Sequence, residues 1–281
     1  MAALYGQEMI EKARKAMADR FDPTAPLPPT PDWKFFVHDE YDNDTAYGMA
    51  LRGSIIELYG MSKTRKSTLL AIFAAAILSK EKRAMNISTN ITGPVIWIDT
   101  EQGEDEFAYF QRMVFQLANR SMAKQTNKYY AMNFRPHSEE DRVAMFDIMM
   151  HGMTEVGCIF IDGIADFSPN SNEMEANKRL ITQVTQWADM HQCPLFTAIH
   201  ANKDGKTSTG TLGGYLDKKA SSVIVTEVNS EDGPTTVVNK LTRRGKRFPS
   251  FQFMHNRHEL PELVDPMGII GDGDFKTGGD E

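Results

Sequence analysis

Residues Gly60-Met61-Ser62-Lys63-Thr64-Arg65-Lys66-Ser67-Thr68 gather cations and hydroxyls into one polar loop. The loop follows the apolar run Ile55-Ile56-Glu57-Leu58-Tyr59 and precedes the apolar residues 69–78, so the order is strand, loop, helix. Its spacing is that of a phosphate-binding P-loop, G-x-x-x-x-G-K-[ST], with Arg65 in the place of the second glycine. In such a loop, backbone N–H groups and the free helix N-terminus converge on an anion. A lysine reaches the β/γ-phosphates, and a Ser or Thr hydroxyl holds Mg²⁺. Lys66 and Ser67 stand at those two positions, and all nine residues are candidate nucleotide contacts. Glycine serves where φ is positive or where backbone must approach phosphate closely. Arg65 therefore predicts either a negative φ or a slightly opened loop, with a charge available to phosphate in cis or across a subunit boundary. A strand, a polar turn and a helix with one Lys-Ser pair also arise without any ligand, so the rest of the chain has to decide.

Hydrolysis of a terminal phosphate needs phosphate positioning, a metal, an oriented water, and positive charge against the developing negative charge. Asp162 ends the apolar run Gly157-Cys158-Ile159-Phe160-Ile161 and suits an acid that holds Mg²⁺ through Ser67 or water, although an Asp there can also merely cap the following turn. Glu101 closes the run Val95-Ile96-Trp97-Ile98-Asp99-Thr100, where a carboxylate can lie beside the terminal phosphate and orient or deprotonate water. The alternative for Glu101 is an ordinary exposed strand-end acid. Asp99 points to the same face by the strand period, nearer the sheet body. The strand 196–199 leads into His200-Ala201-Asn202-Lys203, where His200 or Asn202 can sense the phosphate and inform the next loop. A structural histidine is the plainer alternative. Residues 204–214 are small, polar and glycine-rich, and read as a loop able to move.

The elements that must position these residues follow from periodicity. Residues 7–20 form a short amphipathic helix, and the prolines of 23–31 make a linker that no helix or central strand tolerates. That helix docks either on a neighbouring subunit or back on its own domain. Residues 33–52 are mixed and polar, and 79–83 are a solvated helix end. Helices are expected at 105–117, 138–150 and 173–191, the second capped by Ser138. Strands are expected at 129–135, 157–163, 194–200 and 221–228, while 235–241 and 250–254 alternate like antiparallel strands with one face in solvent. Strands and helices alternate until about residue 200, after which strands follow strands. That is an α/β fold, a mainly parallel central sheet flanked by helices with an antiparallel C-terminal extension. Ligands of such sheets sit at the carboxyl ends of the strands, where the P-loop, Glu101, Asp162 and His200 all fall.

A chain of 281 residues can bury a large core, and its 41% hydrophobic and 25% charged residues are ordinary globular values. No run approaches the roughly 20 apolar residues of a membrane span and the N-terminus lacks a signal pattern, so a cytoplasmic protein is expected. Cys158 and Cys193 lack a C-x-x-C spacing and read as buried free thiols. A net charge of −7 argues against a basic nucleic-acid coat and leaves room for a local basic channel.

With these residues assembled, the chain resembles the RecA-like P-loop ATPases, most closely the hexameric RepA- and DnaB-like helicases of plasmids, phages and other mobile elements. The pieces that carry the resemblance are GMSKTRKST, VIWIDTEQ, IFIDGIADF and FTAIHANK before the glycine-rich loop, and they span about residues 51–255. A mobile-element subset of this group has a P-loop reading K-[ST]-R-K-[ST], similar to Lys63-Thr64-Arg65-Lys66-Ser67. The resemblance implies ATP and Mg²⁺ as cofactors, with Lys66, Glu101, Asp162 and His200 catalytic and Ser67 and Asp162 on the metal. It implies that the loop 203–214 faces DNA through Lys203, Lys206, Thr207 and Gly210. It implies that Lys240-Leu241-Thr242-Arg243-Arg244-Gly245-Lys246-Arg247 supplies a Lys and an Arg that reach a neighbour's ATP. Arg243 or Arg244 would be the finger, because a guanidinium meets phosphate in a fixed fork, and spacing does not choose between them. A solvated hairpin tip or a plain phosphate-backbone contact is the alternative for this cluster. The resemblance also implies a homo-oligomer, a hexamer, acting on single-stranded DNA, whose N-terminal helix and linker swap onto the adjacent subunit. No separate primase or initiator domain fits within this length, so the protein is expected either to work alone or to depend on such a partner. The expected division is 1–32 helix and linker, 33–265 ATPase domain, and 266–281 flexible acidic tail. A filament-forming recombinase or mediator, and a regulatory ATP switch, are the competing functions, with a small-molecule kinase behind them.

Overall fold

The computed structural model of the protein describes residues 6–18, 22, 24, 31–39, 41–42, 44–121, 128–168, 173–230 and 232–264. Most of the proline linker and the whole acidic tail lie outside the described residues. The chain divides into two compact units, Met1–Asp32 and Trp33–Glu281. In the first, α1 (Gln7–Ala18) is an amphipathic helix with no buried residue. No described helix is long and apolar enough to cross a membrane.

The second unit is built around β3 (Ile55–Gly60) and α2 (Lys66–Leu78), the strand and helix that flank the P-loop. All of β3 is buried, as is α2 apart from Ser67. A helix apolar on every side needs cover on every side, and α2 receives it from two sheets and from the helix Glu104–Leu117. One sheet is nine-stranded among the described residues. Its parallel part runs, in spatial order, β10 (Ser222–Val228), β3, β9 (Leu195–His200), β8 (Cys158–Asp162), β6 (Val95–Asp99) and β7 (Tyr129–Asn133). β11 (Thr235–Thr242), β12 (Phe251–His255) and β13 (Pro261–Leu263) continue it beyond β10 as antiparallel strands. The α/β class with an antiparallel extension is therefore the observed one.

The second sheet is a departure from expectation. β1 (Trp33–His38), β2 (Ala46–Leu51), β4 (Arg83–Ala84) and β5 (Ile87–Thr89) form a four-stranded antiparallel sheet where the sequence reads as mixed and polar. Phe35 of β1 joins Phe73 of α2 and Phe196 of β9, with ring centroids 5.1–5.8 Å apart. Phe35, Val37, Met49 and Ala50 thus bury α2 from the side that the large sheet leaves open.

The remaining helices are α3 (Glu104–Leu117), α4 (Glu139–Gly152), α5 (Met174–His191) and α6 (Gly210–Lys219). α4 is capped as expected, with the Ser138 hydroxyl accepting from Asp141 N. α4, α5 and α6 contribute to a core of their own, in which Phe146, Phe167 and Trp187 meet edge to face. Both cysteines are free and buried. α6 corrects the expectation of a glycine-rich loop through residue 214. The loop ends at Thr209, whose N–H donates to His200 O at 2.8 Å, and a bridge pairs Ala201 with Ser208. Leu212 and Leu216 are fully buried. A side chain at Gly213 would meet Ser208 Oγ at 2.4 Å, so glycine lets the helix seat against the loop's neck instead of loosening it.

One side chain in β3 stands out. Glu57 is fully buried, and neither of its carboxylate oxygens has a hydrogen-bond partner among the described residues. Burial pushes its pKa up to about 8, with the charge of Asp217 adding to the shift. A carboxyl raised in the folded state contributes stability that is complete below its unfolded pKa of about 4.5 and lost as pH rises through the folded value. Glu57→Gln keeps the shape and removes the charge. Thermal melts are expected to match wild type at pH 5 and to exceed it by ~5 °C at pH 9, the scale of a few kcal/mol in a unit of this size. Equal melting temperatures at both pH values would contradict a buried, titrating Glu57.

Candidate active site

Because the central strands are parallel, their carboxyl ends share one edge, where Gly60 lies opposite His200 and Asp99 opposite Asp162. Gly60 is required by contact: a Cβ there would come within 2.5 Å of Thr64 Oγ1 and 2.4 Å of Thr226 Oγ1. Those two hydroxyls hydrogen-bond at 2.8 Å and tie the P-loop to β10. Lys63 and Arg65 both take left-handed backbone, φ 64° and 62°. The expectation of a negative φ at Arg65 is thus incorrect, and the position has the conformation for which glycine is normally used. A left-handed L-residue costs on the order of 1 kcal/mol. The Arg65 side chain leaves the loop for the turn between β10 and β11, donating to Gly233 O at 2.7 Å and Thr235 Oγ1 at 3.0 Å.

The loop, the strand ends and α3 enclose a cleft of about 540 Å³. Ser62, Lys63, Arg65, Lys66, Ser67 and Thr68 line it together with Glu101, Asp162 and His200, while Gly60, Met61 and Thr64 of the expected set do not. Lys66 Nζ donates to Gly60 O at 3.1 Å and Met61 O at 3.0 Å, and lies 3.5 Å from His200 Nδ1. Its burial lowers its pKa, while Glu101 and Asp162 oppose the shift. A lysine can only donate, so Nδ1 of His200 accepts, leaving Nε2 to carry the proton toward Glu101 Oε1, 3.5 Å away. His200 lowers the pKa of Glu101 through this contact, against the opposing effect of burial. Lys66, His200 and Glu101 therefore form one chain of polar contacts across the cleft.

Asp162 is 2% exposed, and its Oδ2 has no partner among the described residues. Burial first, then the neighbouring Asp99 carboxylate, raises its pKa, while the Ser67 hydroxyl opposes the shift. Asp99 is raised by burial too, yet its Oδ1 accepts from the N–H groups of Glu101 at 3.0 Å and Gln102 at 2.9 Å. It thereby shapes the turn that presents Glu101. Thr100 donates to Asp162 O at 3.1 Å and Gly163 O at 2.9 Å. Gly163, at φ 98°, has no room for a side chain beside Thr100 Oγ1. Sequence reasoning missed Thr100 and Gly163, although the Gly that follows Asp162 was a usable signal. No group of three or more His, Cys, Asp or Glu able to hold a metal occurs among the described residues. A hard cation held by one carboxylate, one hydroxyl and ligand oxygens needs no such cage, and the orphaned Oδ2 of Asp162 beside Ser67 fits that role.

The other expected residues lie elsewhere. Lys203, Lys206 and Thr207 are exposed on the loop 201–209, and Gly210 is the first residue of α6. Asn202 closes that loop, donating to Thr207 Oγ1 at 2.8 Å and Ser208 O at 3.1 Å. Lys206, Lys240 and Arg247, with the acids Asp204 and Glu227, line a second cleft of about 580 Å³ whose wall includes Met61 and Thr64. Lys240 Nζ donates to Tyr59 Oη at 2.9 Å and Lys206 O at 3.0 Å. Arg243 is committed within the subunit: its guanidinium donates to Ala220 O at 2.7 Å and to Lys218 O at the end of α6. Arg244 is exposed.

Residues 22–206 match a family described as an AAA domain. The chain belongs to this AAA-domain family. A search of curated proteins returns no match. Among solved structures, this AAA domain is similar in fold to a KaiC-like protein from the hyperthermophilic archaeon Pyrococcus horikoshii, at 14% identity and TM-score 0.57. That likeness covers 78% of this chain and 92% of the other, and it places the domain on a RecA-like fold.

The raised pKa of Asp162 has a consequence that can be measured. In the ligand-free domain its stability contribution is present at acid pH and lost as pH rises through the raised value. Asp162→Asn is expected to raise the melting temperature at pH 8 by several degrees, with the gain shrinking toward pH 5. The same variant is expected to lose the extra stabilisation that Mg²⁺ adds to a bound nucleoside triphosphate, read by calorimetry with and without Mg²⁺. A Mg²⁺ effect retained in full would remove Asp162 from the metal.

Proposed function

We propose that this AAA domain hydrolyses ATP with Mg²⁺ and couples the reaction to single-stranded DNA, as one subunit of a ring-forming, replicative-type helicase of a plasmid, phage or other mobile element. The observation that carries the reading is the convergence of Lys66, Ser67, Asp162, Glu101 and His200 on one cleft at the parallel edge. Lys66 leaves the carbonyls of Gly60 and Met61 for the β/γ-phosphates. Ser67 and Asp162 would hold Mg²⁺, which would neutralise the phosphates. Glu101, set by Asp99, orients the attacking water and takes its proton.

His200 touches both Lys66 and Glu101, and its carbonyl anchors the loop 201–209 through Thr209. Loss of the terminal phosphate therefore has a short route to Lys203 and Lys206 at the loop tip. Lys206, Lys240 and Arg247 in the second cleft add a cationic surface that suits a phosphodiester backbone, which needs no sequence information to bind. Arg243 is occupied at the end of α6, so Arg244 is the guanidinium available to a neighbouring subunit's ATP.

Glu101→Gln is expected to retain ATP binding and to lower turnover ~100-fold or more, the usual worth of a positioned base. Arg244→Ala is expected to lower turnover comparably in the assembled particle. Mixing the two variants should regain activity, since some subunit boundaries then pair an intact glutamate with an intact arginine. ATP turnover with and without single-stranded DNA, alongside the particle mass, checks the whole reading. A monomer with no DNA stimulation would argue against a motor, and filaments in electron micrographs would favour a recombinase.

A further inference from the structure

The departure of the P-loop from its pattern has a structural use. Arg65 takes left-handed backbone and points its side chain at the start of β11, bonding Gly233 O and Thr235 Oγ1. The antiparallel extension is thereby docked on the nucleotide loop. A second clasp holds its far turn, where the Tyr109 hydroxyl of α3 donates to Glu259 O at 3.1 Å.

His255, the last residue of β12, belongs to the same extension and lines the nucleotide cleft. Its Nε2 is withdrawn from solvent and has no hydrogen-bond partner among the described residues. Burial and the nearby Arg65 charge, opposed by Glu259, hold its pKa below the ordinary histidine value, which favours the neutral ring with one donor and one acceptor. A rotation about the imidazole's soft χ2 torsion would present that nitrogen to a ligand. Facing the same cleft are Tyr109 and Phe110, 5.4 Å apart and edge to face. The walls that the P-loop and strand ends do not supply are thus an aromatic pair and a neutral imidazole, which suit a purine base and offer little to phosphate.

Resting on the ATP reading above, we propose that Arg65 is a positioning residue for the nucleoside part of the nucleotide, pinning the antiparallel extension to the P-loop so that His255 and Tyr109 close on the base. A polar atom buried without a partner on a cleft wall calls for one, and the base supplies it.

The test is calorimetric binding of Mg-ATP and of Mg-tripolyphosphate to the full chain, to Arg65→Gly and to His255→Phe. Glycine relieves the left-handed backbone, so the P-loop itself is expected to persist in Arg65→Gly, with thermal melts as the check on folding. In both variants the preference for ATP over tripolyphosphate is expected to fall ~10-fold, a loss of about 1.4 kcal/mol, whatever the affinity for tripolyphosphate itself. Equal losses for both ligands would make Arg65 a phosphate contact, and no loss for either would make it a purely structural tie. Each of these results overturns the proposal. Wild type binding ATP no better than tripolyphosphate also overturns it, while leaving the phosphate loop in place. Wild type binding neither ligand removes the ATP reading itself.

Discussion

The burial of α2 on all sides is the constraint from which the rest of the site follows. A helix with no polar face cannot lie on a single sheet, and here it is held by α3 and by the large and the smaller antiparallel sheets, the last two meeting it through Phe196 and Phe35 beside Phe73. Its N-terminus is thereby fixed at the edge where the parallel strands end. Free N–H groups at that terminus and the two left-handed residues of the loop then face the same space as Asp162, Glu101 and His200. The smaller sheet is accordingly part of the site's support, even though none of its residues lines the cleft.

Electrostatics at that edge is left unbalanced. Asp99 and Asp162 are register partners on β6 and β8, both raised by burial; Oδ1 of Asp99 accepts from backbone donors, while Oδ2 of each is buried without a partner among the described residues. A buried carboxylate without a partner costs stability unless a proton or a cation joins it. Asp162 therefore stores a demand that Mg²⁺ can meet, whereas Asp99 spends its charge on the geometry of the Glu101 turn. The same edge shows how two adjacent acids acquire separate duties from local donors alone.

Much of this was legible in the sequence because it depends on short-range order. The apolar runs ending at Gly60, Asp162 and His200 give strands, their alternation with helices gives a parallel sheet, and a parallel sheet puts its strand ends together. The small sheet was not legible, because β4 and β5 are two and three residues long and β1 alternates weakly among polar neighbours. α6 was obscured by Gly210, Gly213 and Gly214, which suggest a loop until the close seat against Ser208 is seen. The duty of Arg243 depends on where α6 ends and was equally out of reach. His255 and Tyr109 carry no motif, being 146 residues apart, and only the fold brings them to one cleft.

Arg65 shows most clearly how local and global preferences part. By local preference glycine belongs at φ 62°, and a non-glycine residue persists in such backbone only where its surroundings over-determine it. The surroundings here are the carbonyl of Gly233 and the hydroxyl of Thr235, the first groups of the antiparallel extension. Thr64, one residue earlier, faces the opposite side of the loop, bonding Thr226 and lining the second cleft. Successive side chains of the P-loop thus anchor to β10 on one side and to β11 on the other. The loop is a shared partition between two clefts, and a change in what fills the nucleotide side bears on the walls of both.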